Sequence, residues 1–316
     1  SEAVDQQLLL QYRGEAHFLR GILFYQLARV HGRIPLPLSQ FPAADISRAS
    51  QEDVYLQIES DLLEAEATLP AIYPAVLNGA PRPNSGSARA LLARLYMDWA
   101  GFPLKNTSKY VDAASSAKQV MDNAGAHGFG LLDDFADLWK VENRFNEESL
   151  FTLVFSTTAT GAPNNSLANR KYARLGLPAD LGGWNETFAE IKFFQDFPES
   201  PRKDATYRME LNWENFNAQK SPVFAKVTGP AGDLPQGSFQ TERNDFFMRY
   251  ASILLIYAEA SGLSGNVTPD AWEALHKIRR RAAGLPYGTP NPAVDITSGD
   301  IAELAFEERK WEFAGA

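Results

Sequence analysis

Aromatic rings set beside side-chain amides are the residues in this chain best suited to chemistry, and that chemistry is recognition. Tyr172, Trp184, Tyr207, Trp213 and Phe216 fall between residues 157 and 244, where apolar spacing follows neither a helical nor a strand period. Asn164, Asn165, Asn185, Asn212, Asn215 and Asn217 lie beside several of them. A flat ring edged by hydrogen-bonding groups suits the apolar face of a sugar. Trp213, in the run LNWENFN, is the leading candidate. The competing reading is that some of these rings staple the irregular segment onto a packed layer.

Catalytic patterns are weaker. His17, His31, His127 and His276 show no His-Glu-x-x-His or other metal spacing, and no glycine loop for phosphate is present, so no metal site and no cofactor are expected. Each histidine reads as structural. Ser85-Gly86-Ser87 lacks the flanking glycines of a nucleophile elbow and reads as a turn and helix cap. Carboxylates are plentiful, yet spacing does not show whether two face each other across a cleft as a glycosidase requires. Glu259, in an otherwise apolar helix, reads as half of an ion pair with an arginine of the helix that follows.

The chain has 316 residues, 45% of them hydrophobic, with no cysteine and a net charge of −9. That acidic balance argues against a nucleic-acid partner; the basic cluster Arg279–Arg281 reads as a solvated face with ion pairs. No apolar run reaches the length of a membrane span. The opening residues SEAVDQQLLL lack the features of a signal peptide, so any export signal is expected to have been removed.

Helices must position the candidate residues. From Tyr12 to His31, Ala16, Leu19, Leu23, Leu27 and Val30 trace one face, and Gly32 with Pro35 ends the pattern. Ser50, followed by Asp53, caps a second helix bearing Val54, Ile58, Leu62, Ala65 and Leu69. Residues 71–85 form a proline-rich loop; a third helix covers Ala88 to Ala100. Ser108 caps a fourth, with Val111, Ala114, Ala117 or Lys118, and Met121 on its face. Residues 146–156 switch to strand composition. The irregular stretch then holds one short helix within 186–197 and a strand at 223–227, and its length marks it as functional. Tyr250 to Ala260 is apolar almost all round, the mark of a helix packed between neighbours. Thr268 and Pro269 open its partner, which carries Ala271, Ala274, Leu275, Ile278 and Ala282 and ends at Gly284. Asp300 to Phe313 is the last helix, with Ile301, Leu304, Ala305, Glu308 and Trp311 on one face. The predicted architecture is all-α: tetratricopeptide-like helix pairs at about 11–125 and 246–313, minor strands, and a loop-rich insert at about 157–244, all within one domain.

The segments GEAHFLRGILFYQLARVHGRIPL (14–36), ASQEDVYLQIESDLLEAEATLP (49–70), ARALLARLYMDWAG (88–101), NEESLF (146–151), RYASILLIYAEA, RRRAAGLP and FEERKWEFAG (306–315) occur in this order along the chain. Together they resemble the SusD/RagB family of nutrient-binding outer-membrane lipoproteins. The resemblance implies an outward-facing lipoprotein of the cell outer membrane. For the complete protein it implies a lipid anchor that is absent from this chain, a helix before this chain and a tail after it. It also implies four helix pairs in the complete protein, an oligosaccharide or other nutrient as ligand, a SusC-like TonB-dependent transporter as partner, and no catalysis. GGWNETF at Gly182 has a similar form across the family, which tilts Trp184 toward a structural role. Two other readings stand beside this one: a tetratricopeptide scaffold that binds a peptide, and an all-α glycoside hydrolase.

Overall fold

Asp5 opens the first helix by accepting hydrogen bonds from the backbone of Gln7 and Leu8, which satisfies two N–H groups that a first turn leaves unpaired. The structure, a computed structural model, describes residues 5–73, 82–156, 189–208, 222–226 and 242–315. Helix α1 runs Gln6–His31, starting ahead of the predicted Tyr12 because the cap, and not the apolar period, sets its first turn. Helix α2 (Gln51–Thr68) starts at Ser50, whose hydroxyl accepts from Asp53 N, and buries the predicted Val54, Ile58, Leu62, Ala65 and Leu69. Helix α3 (Ser85–Ala100) opens on a reciprocal cap between Asn84 and Ser87.

Two predicted faces are corrected. In α1, Leu19, Leu23, Leu27 and Val30 are 48, 62, 45 and 75% exposed, and the core takes Phe18, Ile22, Phe24, Tyr25 and Ala28 from the other side. The helix is apolar on two opposite sides, so the period alone does not choose between them. Glycine decides. Gly14 and Gly21 face α2, where a Cβ on Gly21 would lie 3.3 Å from the Leu62 side chain, so the two backbones close on that side. In α4 (Lys109–Asp122) the core takes Ala113, Ser116, Ala117 and Val120, a face turned by about one residue from the predicted one, and Val111 is exposed. Ser108 precedes α4, but its hydroxyl donates to Asn106 and caps nothing.

After the short α5 (Ala124–His127) the chain enters strand β1 (Ser149–Leu153). Within the insert the described residues form α6 (Ile191–Asp196), α7 (Pro201–Thr206), β2 (Tyr207–Arg208) and β3 (Val223–Phe224), the last two paired antiparallel. Strand β4 (Asp245–Arg249) returns alongside β1, with Phe151 opposite Met248, so the two edges of the insert are tied together where it leaves the helices. Helices α8 (Tyr250–Leu263), α9 (Pro269–Ala282) and α10 (Ile301–Glu312) complete the chain.

The stack is continuous across the insert. Helices α1 and α2, α3 and α4, and α8 and α9 pack as pairs; α2 meets α3, α4 meets α8, and α10 lies on α8. All-α with minor strands is therefore the fold, as predicted, and α8 is its central helix, buried from Tyr250 to Ala258. No helix among the described residues is long and apolar enough to cross a membrane. Where α10 begins, a Cβ on Gly262 would meet Ala302 Cβ at 2.8 Å and Ala302 N at 2.9 Å. Gly262→Val is expected to cost about 1–3 kcal/mol through overpacking. A thermal melt checks this, and an unmoved midpoint would mean α10 is not seated on α8 at that glycine.

Candidate functional site

Tyr172, Trp184, Asn212, Trp213, Asn215 and Phe216 lie outside the described residues, as do Asn164, Asn165, Asn185 and Asn217. What the structure brings together is the base on which the insert sits. Phe193, Phe194 and Phe197 come from α6 and its end, Tyr207 and Phe224 from the β2–β3 pair, and Trp311 from α10. Tyr207 lies 5.0 Å from Phe194, 5.6 Å from Phe197 and 5.4 Å from Phe224 between ring centres, while Phe193 and Phe197 reach Trp311 at 5.1 and 5.0 Å. Tyr207 is only 4% exposed, and burial pushes its phenol up to about 12. Of the aromatic candidates this one is a staple, not a free face.

Beneath the rings lies a cluster of charges that water does not reach. Glu148 precedes β1, Arg249 ends β4, Arg281 closes α9, and Glu308 and Glu312 lie on α10. Arg249 Nη1 is 2.7 Å from Glu148 Oε1 and 2.9 Å from Glu312 Oε1; Arg281 Nη2 is 2.7 Å from Glu312 Oε1, and its Nη1 pairs with Glu148. From the insert, Arg202 Nη1 reaches Glu308 Oε1 at 2.6 Å and Glu312 Oε2 at 3.2 Å, and Lys226 Nζ donates to Glu312 O at 2.9 Å. Burial alone would raise the Glu312 carboxyl, but Arg281, Arg249 and Arg202 more than reverse that and hold it at about 2.

The solvated reading of Arg279–Arg281 is thereby corrected. Arg280 and Arg281 are each 1% exposed, Arg280 held by Glu273 and Asp295, and only Arg279 remains partly exposed beside Glu308. Three consecutive arginines look like a surface run because their acidic partners are spread from residue 148 to residue 312. One signal was present: Glu308 falls on the apolar face of α10, where a carboxylate needs a buried partner.

Glu259, Ser87 and three of the four histidines have structural partners. Glu259 does form an ion pair, but with Arg309 of α10 rather than with an arginine of α9. His17 Nδ1 is 2.8 Å from Asp61, His127 Nδ1 is 3.1 Å from Ala71 O, and His276 Nε2 is 2.8 Å from Ile296 O. Ser87 donates to Leu150 O at 2.6 Å. Among the described residues, no three His, Asp or Glu side chains converge as a metal would need.

Two family models match the chain at its two ends: one described as starch-binding associating with outer membrane over residues 1–97, the other as the SusD family over residues 214–315. The chain resembles the SusD/RagB family at both of its ends. A SusD-like protein P2 of Formosa agariphila is 26% identical, over 98% of this chain and 64% of its own length. A crystal structure of a SusD homologue from Bacteroides thetaiotaomicron superposes with a TM-score of 0.81 at 26% identity, covering 98% of this chain and 66% of that one. Surface glycan-binding protein A of Bacteroides uniformis shares the fold, with a TM-score of 0.77 at 21% identity over 100% of this chain and 66% of that one. The chain thus spans slightly under two thirds of the length of these relatives. Among the described residues, the ring staple and the charge cluster hold residues 189–208 and 222–226 onto the helical stack.

Proposed function

We propose that this chain is the greater part of a non-catalytic surface protein of the outer membrane that holds an oligosaccharide for a SusC-like TonB-dependent transporter. The observation that carries the reading is the family resemblance: two SusD-type matches at opposite ends of one continuous helical stack, with a protein of the same fold named for glycan binding. Physical support comes from the insert. Its described residues are fixed to the helices by rings and buried charges, and a preorganised support lowers the entropic cost of binding.

Trp213 is the residue proposed to stack on a sugar ring, with Asn212 and Asn215 as hydrogen-bonding neighbours and Phe216, Tyr172 and Trp184 as further contacts. Loss of the ring is expected to weaken binding by roughly 5-fold to 150-fold, because stacking and aromatic burial contribute on the order of 1 to 3 kcal/mol. Calorimetric titration of Trp213→Ala beside a melting curve tests it. Unchanged affinity with a lowered midpoint would move Trp213 into the packed base and leave the ligand face elsewhere.

A second reading, a tetratricopeptide scaffold for a peptide, draws support from the outer side of α1, where Leu19, Leu23, Leu27 and Val30 are exposed. Deleting residues 157–244 separates the two: the scaffold keeps its peptide partner, whereas the glycan reading loses its ligand.

A further inference from the structure

Among the described residues, Lys226 is the one cation of the buried cluster that can give up its proton. The cluster otherwise holds three carboxylates, Glu148, Glu308 and Glu312, and three guanidiniums, Arg202, Arg249 and Arg281, none of these six more than 4% exposed. Guanidiniums stay charged in proteins, so these six balance. An ammonium at Lys226, itself 1% exposed, would be a surplus positive charge away from water, and Arg279 at the rim of Glu308 already adds another. The Lys226 amine donates to a backbone carbonyl, Glu312 O, and not to a carboxylate. Phe135 and Trp139 lie 4.9 and 5.1 Å from it. Those rings soften a positive charge without supplying an acceptor.

The partners divide by origin. Arg202 of α7 and Lys226, just after β3, belong to the insert; Glu148, Arg249, Arg281, Glu308 and Glu312 belong to the strands and helices that it docks on. We propose that this cluster is a pH-dependent latch between residues 189–208 and 222–226 on one side and the helical stack on the other, closed with Lys226 as the neutral amine and released when that amine takes up a proton. Burial first, and Arg249 beside it, push Lys226 well below the ordinary lysine range, in keeping with that charge balance. The groups facing Lys226 are Glu312 of α10, Arg249 of β4, Arg281 of α9 and Arg202 of α7. The turn bearing Phe135 and Trp139 also carries Asp134 and Asp137, but Asp134 accepts from Ala136 N and Asp137 pairs with Lys140.

The sign follows from linkage. A base whose closed-state value is depressed binds more protons when open, so closing strengthens as pH rises toward the unfolded lysine value of about 10.4. One proton taken up on opening changes the opening constant about tenfold per pH unit. Hydrogen exchange of the full chain between pH 7 and 9, corrected for intrinsic rates, reads this for residues 191–208 against α8. In the wild type, protection of 191–208 is expected to rise about tenfold per pH unit while α8 stays level, and in Lys226→Met the rise is expected to vanish. A level wild-type profile, a rise that survives in Lys226→Met, or a rise shared equally by α8 would overturn the latch. If Lys226→Met does not fold, the wild-type contrast between the two regions still decides. The outcome does not depend on any ligand.

Discussion

Glu312→Gln is expected to lower stability by about 3–5 kcal/mol, the cost of breaking a buried ion cluster by removing one partner. Arg281, Arg249 and Arg202 all reach that carboxylate, and none of them is more than 3% exposed. Glutamine keeps the shape but removes the charge, so three guanidiniums would then face two carboxylates with no water to solvate the excess. Urea denaturation measures the loss as a shift in midpoint at unchanged slope. Breaking Lys192–Asp196, an exposed pair on α6, is expected to leave the midpoint in place. A Glu312→Gln protein as robust as the wild type would mean that the cluster is hydrated.

Acid is expected to destabilise the protein through the same carboxylate. Held at about 2 when folded against 4.5 ordinarily, Glu312 contributes stability that is fully present above pH 4.5 and is lost as pH falls toward 2. Each tenfold gain in acidity on folding is worth roughly 1.4 kcal/mol, so the contribution is on the order of 3 kcal/mol. Other carboxylates titrate across the same window, so the quantity to measure is the difference between wild type and Glu312→Gln. That difference should shrink between pH 4.5 and 2. A constant difference over this range would show that Glu312 is not held ionised by its arginines.

These consequences were hidden in the sequence for a physical reason. Helix caps and apolar periods are local, so Ser50, Thr268 and Asp300 mark their helices correctly and α2 buries the residues its spacing predicts. Which side of α1 packs was not local information: both sides are apolar, and the choice rests on Gly14 and Gly21 meeting residues of α2. Arg281 and Glu148 meet across the whole insert, and strand composition at 149–153 does not reveal that 245–249 is its partner. Tyr207 shows the limit of reading function from missing periodicity. It sits in an irregular stretch, yet short elements bury rings by clustering them, and no repeat is needed. The candidates grouped around Trp213 rest on the same criterion together with their amide neighbours.

The most direct test of capture without cleavage is electrophoresis of the protein through gels containing plant, host or microbial polysaccharides, paired with an assay for new reducing ends. Retardation is expected in at least one gel, relieved by Trp213→Ala, while reducing ends stay constant in the same mixture. Free migration in every gel, or retardation accompanied by catalytic release of reducing ends, would contradict capture without cleavage.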